Sequence, residues 1–159
     1  MELTAQFADV VERFDEWFRR SPQSDDALTA HRLLTELQLG MLHLPTVESD
    51  DEYIDVDESS NLQAWRTRLS LLPVDFYWKV FDVFAEGEHP VGCMIADDFA
   101  DIHADLLEGL HFFRLGNDAE AVWRWQFSYF THWGRHLTGA QNALHQYFAD
   151  QGGANNLSE

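Results

Sequence analysis

Apolar residues at Leu3, Phe7, Val10, Val11, Phe14, Trp17 and Phe18 recur at steps of three and four, the mark of one helical stripe. Ser21-Pro22 ends it. A second helix is predicted from Ser24 or Asp25, its early acids favoured by the helix dipole. Ala30, Leu34, Leu37 and Met41 share one face of it; Leu28, Leu39 and Leu42 share another. Two apolar faces suggest a central helix, stopped by Pro45. Leu62, Trp65, Leu69 and Leu72 predict a short third helix before Pro73. In residues 76–84 the apolar side chains point in nearly every direction, so a short helix capped by Asp75 and a strand both stay open. Residues 86–96, with Gly87, Pro90 and Gly92, read as a loop.

The clearest helix opens at Asp97, with Phe99, Ile102, Leu106, Leu110 and Phe113 on one face and Asp98, Asp101, Asp105 and Glu108 to one side. Gly116-Asn117 stops it and starts the last helix, 118–150. Val122, Tyr129, Phe130, Trp133, Leu137, Ala140, Leu144 and Phe148 form the stripe of that helix. It would be about 48 Å long, so a bend near Gly134 or Gly139 is expected. The fold class is all-α: an antiparallel bundle of about five helices, the two long C-terminal ones forming a hairpin. One domain is expected over 1–150, with a disordered tail at 151–159.

Charge narrows the partners. The chain has 159 residues, 10 basic against 28 acidic, and a formal net charge of −18, which disfavours nucleic acid and anionic membrane. The basic residues are arginines apart from Lys79. With 45% hydrophobic residues the chain can still fill a core. Acidic residues crowd the segment from Glu48 to Glu58, yet their spacing does not fit a helix–loop–helix calcium site, and the glycine such a site needs is missing. Cys93 is the only cysteine, which rules out an intrachain disulfide or a Cys-rich metal site. The N-terminus lacks a signal-peptide pattern and no apolar run is long enough to span a bilayer, so a cytoplasmic location is expected. Phosphate-loop, dinucleotide, nucleophile-elbow and His-Glu-x-x-His motifs are all missing.

Candidate chemistry lies on the two long helices. A turn centred between Gly116 and Asn117 puts residues summing to about 233 at one level in an antiparallel pair. Asp101 is then level with His132, Asp98 with Arg135 and His136, and Asp105 beside Tyr129. His132 and His136, four apart, share one side of their helix and can hold one metal between them. Asp98, Asp101 and Asp105 can complete a shell suited to iron, manganese or zinc. The acidic and histidine flanks meet for one handedness of the hairpin and diverge for the other. Capping, the helix dipole and an Asp98–Arg135 ion pair explain the same residues without a metal. Gln126 falls inside the apolar stripe and must find partners, either fixing register or lining a pocket. Trp125, Trp133 and Tyr129 read as core at helical spacing. Trp125 and Phe127 flank opposite edges of the stripe, so some aromatic surface must meet another helix or chain.

Asp97-Asp98-Phe-Ala-Asp101-Ile-His-Ala-Asp105-Leu-Leu-Glu-Gly109-Leu and Trp123-x-x-x-Phe127-x-x-x-x-His132-Trp133-Gly134-x-His136 resemble the two central motifs of an uncharacterised bacterial domain-of-unknown-function family, DUF5063. The resemblance covers most of 28–148 and is sharpest over 97–136. It implies an all-helical fold and no particular activity. The chain departs from it at His103, where the family commonly carries an aromatic residue such as Tyr. The first expectation is therefore a non-enzymatic binding or protein-interaction module with no cofactor, assembling as a homodimer through surplus aromatics or serving another protein partner. The alternative is a metal-binding bundle, with or without enzymatic activity, built on the aspartates and histidines with a divalent ion.

Overall fold

Helical periodicity carries through into most of the backbone. The computed structural model describes residues 2–49 and 61–151. The elements are α1 (Glu2–Arg19), α2 (Asp26–Leu42), α3 (Leu62–Arg68), β1 (Phe76–Lys79), β2 (Val91–Met94), α4 (Ile95–Arg114), α5 (Asp118–Ser128) and α6 (Gly134–Asp150). A π-helical turn, Tyr129–Trp133, fuses α5 to α6, so they form one long interrupted helix. Counted that way, the described residues hold five helices and one small hairpin. Most of the acidic segment and all but one residue of the expected tail lie outside the described residues.

α1 and α2 form one helical hairpin, α4 and the α5–α6 rod another, and α3 packs on α1 and α4. Their stripes meet in one core. Phe14, Trp65 and Phe99 are fully buried, and Trp65 lies 5.6 Å from Phe14 and 5.2 Å from Phe99, ring centre to ring centre. Each such ring removes roughly 150–250 Å² from water, the main stabilising contribution here. Asn61 and Asn117 cap α3 and α5 by accepting the amides of Ala64 and Glu120. Asp26, in the first turn of α2, is buried and does more than complement a dipole. It accepts from the Trp17 indole at 3.0 Å, the Gln23 amide at 2.7 Å and the Arg68 guanidinium, tying α1, α2 and α3 together.

One local reading left open is decided, and two need correction. Of the helix and the strand left open for residues 76–84, residues 76–79 take the strand, with Tyr77 alone turned inward between exposed Phe76 and Trp78, a period of two. The segment read as a loop over 86–96 contains the pairing strand, with Phe76 opposite Met94 and Lys79 opposite Val91, and α4 begins at Ile95. Asp75 offers its carbonyl to the Ile95 amide at 3.0 Å instead of capping a helix. On α2, the face with Leu39 and Leu42 is exposed, so the helix is covered on one side only.

Candidate metal centre

The interruption in the long helix falls where the histidines are. A π turn widens the helix by one residue per turn, and it forms where an ordinary i→i+4 bond gives way to i→i+5. Here an amide closing the turn reaches back to the Tyr129 carbonyl. Gly134 allows this: a Cβ at that position would stand 2.4 Å from the Tyr129 oxygen. His132 rides on the turn and His136 follows one turn later, their rings 4.9 Å apart.

Facing them is the acidic flank of α4, so the hairpin has the handedness that brings the flanks together. His132 Nδ1 lies 2.7 Å from Asp105 Oδ2, and His136 Nδ1 lies 2.8 Å from Asp98 Oδ1. Asp101 Oδ2 is 3.5 Å from His136 Nε2. One ligand atom from each of Asp101, His132 and His136 falls within 4.8 Å of the others. The level expected from the turn holds for Asp98 and His136 but not for His132, which pairs with Asp105 and not with Asp101. Side chains tilt toward the N-terminus of their own helix. On α4 that carries Asp105 away from the connecting loop, and on the facing helix it carries His132 toward the loop, so these two meet although they stand about one turn out of level.

Electrostatics in the cluster are unbalanced. Burial pushes the Asp101 carboxyl above its ordinary range against the pull of His136. It pushes Asp105 up as well, against the His132 hydrogen bond. The Asp98 hydrogen bond raises His136, outweighing burial. Asp98 is 2% exposed and also accepts the Tyr77 hydroxyl at 2.8 Å. Burial and the Asp98 carboxylate push the Tyr77 phenol far up, so it stays protonated and donates. Tyr77 reaches Asp98 by crossing α6 at Gly139, where a Cβ would stand 2.2 Å from its hydroxyl. Sequence reasoning missed Tyr77, because the run Phe76-Tyr77-Trp78 shows no alternation that singles it out.

The remaining candidates are placed apart from this cluster. Arg135 is exposed and makes no ion pair with Asp98, whose two oxygens are taken by His136 and Tyr77. Gln126 donates to the Leu44 carbonyl at 3.3 Å, linking the rod to the end of α2. Trp125 and Trp133 are fully buried, their indoles bonded to the Leu106 and Trp125 carbonyls, and Tyr129 accepts from Gln38. They build core, as their helical spacing implied. His103 sits beside the rings of Phe14, Phe18 and Trp65 and reaches Asp15 at 3.0 Å, an aromatic position with a polar tip.

The family model for DUF5063, a domain of unknown function, matches residues 1–150, and the chain belongs to that family. Among solved structures, protein BF1032 from Bacteroides fragilis is similar, with a TM-score of 0.69 and 21% identity over 90% of each chain. That likeness concerns the fold. No curated protein matches the chain. Among the described residues no helix is long and apolar enough to cross a membrane.

Proposed function

We propose that this DUF5063 domain binds a divalent transition-metal ion through Asp101, His132 and His136. One observation carries the reading. Both imidazoles have Nδ1 tied to a carboxylate, Asp105 for His132 and Asp98 for His136, which leaves Nε2 of each to serve as a ligand, and that of His136 lies beside Asp101. Metal-binding histidines are held in this way, with the second nitrogen donating to a carboxylate that fixes tautomer and ring direction. The 3.5 Å between His136 Nε2 and Asp101 Oδ2 is close to the ligand-to-ligand spacing around a tetrahedral ion with bonds of about 2.1 Å. A cation would also offset the cost of burying the Asp101 and Asp105 charges.

Two nitrogens and one oxygen suit zinc, iron(II) or manganese. Three protein ligands leave a coordination position for water or another molecule, and the side chain of His132 is half exposed, so solvent reaches the site. Such a site is of the open type that supports chemistry, unlike a closed structural one. The test is direct. Chelator-treated protein is titrated with Zn²⁺, Mn²⁺ and Fe²⁺ while ion binding and melting temperature are followed. At least one ion should bind at one per chain and raise the melting temperature, and Asp101→Ala and His132→Ala should each abolish both effects. A wild type that binds none of the three ends the reading.

A second reading, self-association, is favoured by a different surface. A groove of about 430 Å³ lies along the junction of α2 with α5 and the π turn, lined by Leu42, Trp123, Phe127 and Phe130. Phe127 and Phe130 are 55% and 69% exposed, an unusual placement for neighbouring phenylalanines.

A further inference from the structure

We propose that the cleft between the β hairpin and α6 binds a small organic carboxylate with a flat apolar body. The cleft holds about 390 Å³, the lower end of the range for small-molecule sites, and is lined by Trp78, Lys79, Phe81, Val83, Arg135 and Thr138 among others. The cations are the telling feature. The chain has 10 basic residues against 28 acidic ones, and Arg13, Arg19, Arg68, Arg114 and Arg124 are each bound to an acid. Among the described residues Lys79 and Arg135 make no ion pair, which is true of Arg20, Arg32 and Arg66 as well, but Lys79 and Arg135 line one cleft and no acid is among its lining residues. On so acidic a surface, a cleft lined by two cations and no acid is a local site of positive charge. A ligand that brings its own carboxylate complements it.

Geometry supports the placement. The Lys79 ammonium donates to the Arg135 carbonyl at 3.3 Å and lies 4.9 Å from the Phe81 ring centre, so it is fixed at the mouth with two protons still to donate. Gly139 leaves the floor open beneath it, since a Cβ there would come within 3.1 Å of Lys79 Nζ. Trp78, Phe81 and Val83 are 66%, 52% and 74% exposed, an apolar wall beside the cations. The carboxylate would accept from Lys79 and from the planar fork of Arg135, and the apolar body would lie on Trp78 and Phe81. A single charge fits better than a phosphate dianion, because Asp97, Asp98 and Asp101 stand on the neighbouring helix. The cations hold this ligand, not the imidazoles, so the proposal is independent of the metal reading.

The experiment uses the full chain with chelator present, so that metal plays no part. Naphthalene-2-carboxylate and its neutral amide, naphthalene-2-carboxamide, are titrated against it while tryptophan fluorescence and calorimetric heat are recorded. The carboxylate should bind at least about tenfold tighter than the amide, the worth of one charge-assisted hydrogen bond. Lys79→Gln and Arg135→Gln should each weaken carboxylate binding by a similar factor and leave amide binding unchanged, whereas Lys79→Arg should retain it and Arg32→Gln, elsewhere on α2, should have no effect. Trp78→Ala should weaken both probes. Equal binding of acid and amide, loss of binding in Lys79→Arg, or no binding of the acid to the wild type would overturn the proposal.

Discussion

Asp98 accepts two hydrogen bonds from opposite sides of the fold: His136 Nδ1 of α6 at 2.8 Å on one oxygen and the Tyr77 hydroxyl of β1 at 2.8 Å on the other. One buried carboxylate therefore joins α4, α6 and the hairpin. Replacing it by asparagine keeps the shape but removes the charge that favours protonated His136, and its amide nitrogen presents a donor to a donor. For a buried pair broken on one side the loss is about 3–5 kcal/mol. Asp98→Asn should lower unfolding stability by that amount in urea titration of the metal-free protein. Tyr77→Phe, which leaves the carboxylate its imidazole, should cost only about 1–3 kcal/mol. Equal losses in the two variants would mean that the His136 contact contributes nothing.

Asp105 is not among the three proposed ligands, so its effect on metal binding separates orientation from ligation. It fixes the Nδ1 side of His132, a half-exposed ring with little else to hold it. Asp105→Asn should weaken metal affinity by about 10–100-fold while keeping one ion per chain. Isothermal titration of the metal-depleted variant measures both numbers. A change in stoichiometry would make Asp105 a ligand, and unchanged affinity would remove it from the site.

The large features were readable because they rest on patterns longer than any single contact. Helical stripes from Leu3 to Phe18 and from Phe99 to Phe113 run over several turns, and the Gly116-Asn117 stop lies where Asn117 caps α5. The facing of Asp98, Asp101 and Asp105 with His132 and His136 was legible as one of two outcomes, since the short connection sets level but not hand. What escaped depends on few residues. The hairpin strands have four residues each, too short for period two to stand out from aromatic crowding. The π turn requires the absence of one Cβ at Gly134, and a lone glycine in a helix more often signals a bend. The Asp26–Arg68 pair joins residues 42 apart in sequence, and no periodicity connects them.

That pair sets an acid limit to stability. Burial works to raise Asp26, but the hydrogen bonds from Arg68, the Gln23 amide and the Trp17 indole outweigh it and hold the carboxyl below its ordinary value of 3.8. The unfolded chain then takes up the proton more readily than the folded one. The contribution is fully present above the unfolded value and disappears as pH falls through the lowered folded one. Asp15, held low against burial by His103 and Arg19, acts in the same direction. Asp26→Asn should therefore lower stability at pH 7 by about 3–5 kcal/mol, since both partners are buried, and should flatten the fall in stability below about pH 4. Urea midpoints at a series of pH values measure this. An acid limb as steep in the variant as in the wild type would assign the acid sensitivity elsewhere.

Self-association can be tested through charge as well as through the apolar surface. Each chain carries a formal charge of −18, so two copies repel at long range, and that repulsion is screened over about 10 Å at 0.1 M salt. A dimer formed through Phe127, Phe130 and Leu42 should therefore strengthen as salt rises, opposite to an assembly held by ion pairs. A stable two-fold interface buries about 800 Å² per partner, more than these three side chains supply, so Trp123 and the exposed Leu39 of α2 should be covered too. Phe127→Glu with Phe130→Glu places four like charges at such an interface and should give a monomer with an unchanged circular dichroism spectrum. Light scattering at high micromolar concentration, in low and in high salt, reads the result. A wild type that stays monomeric in both would leave the exposed phenylalanines to some other partner.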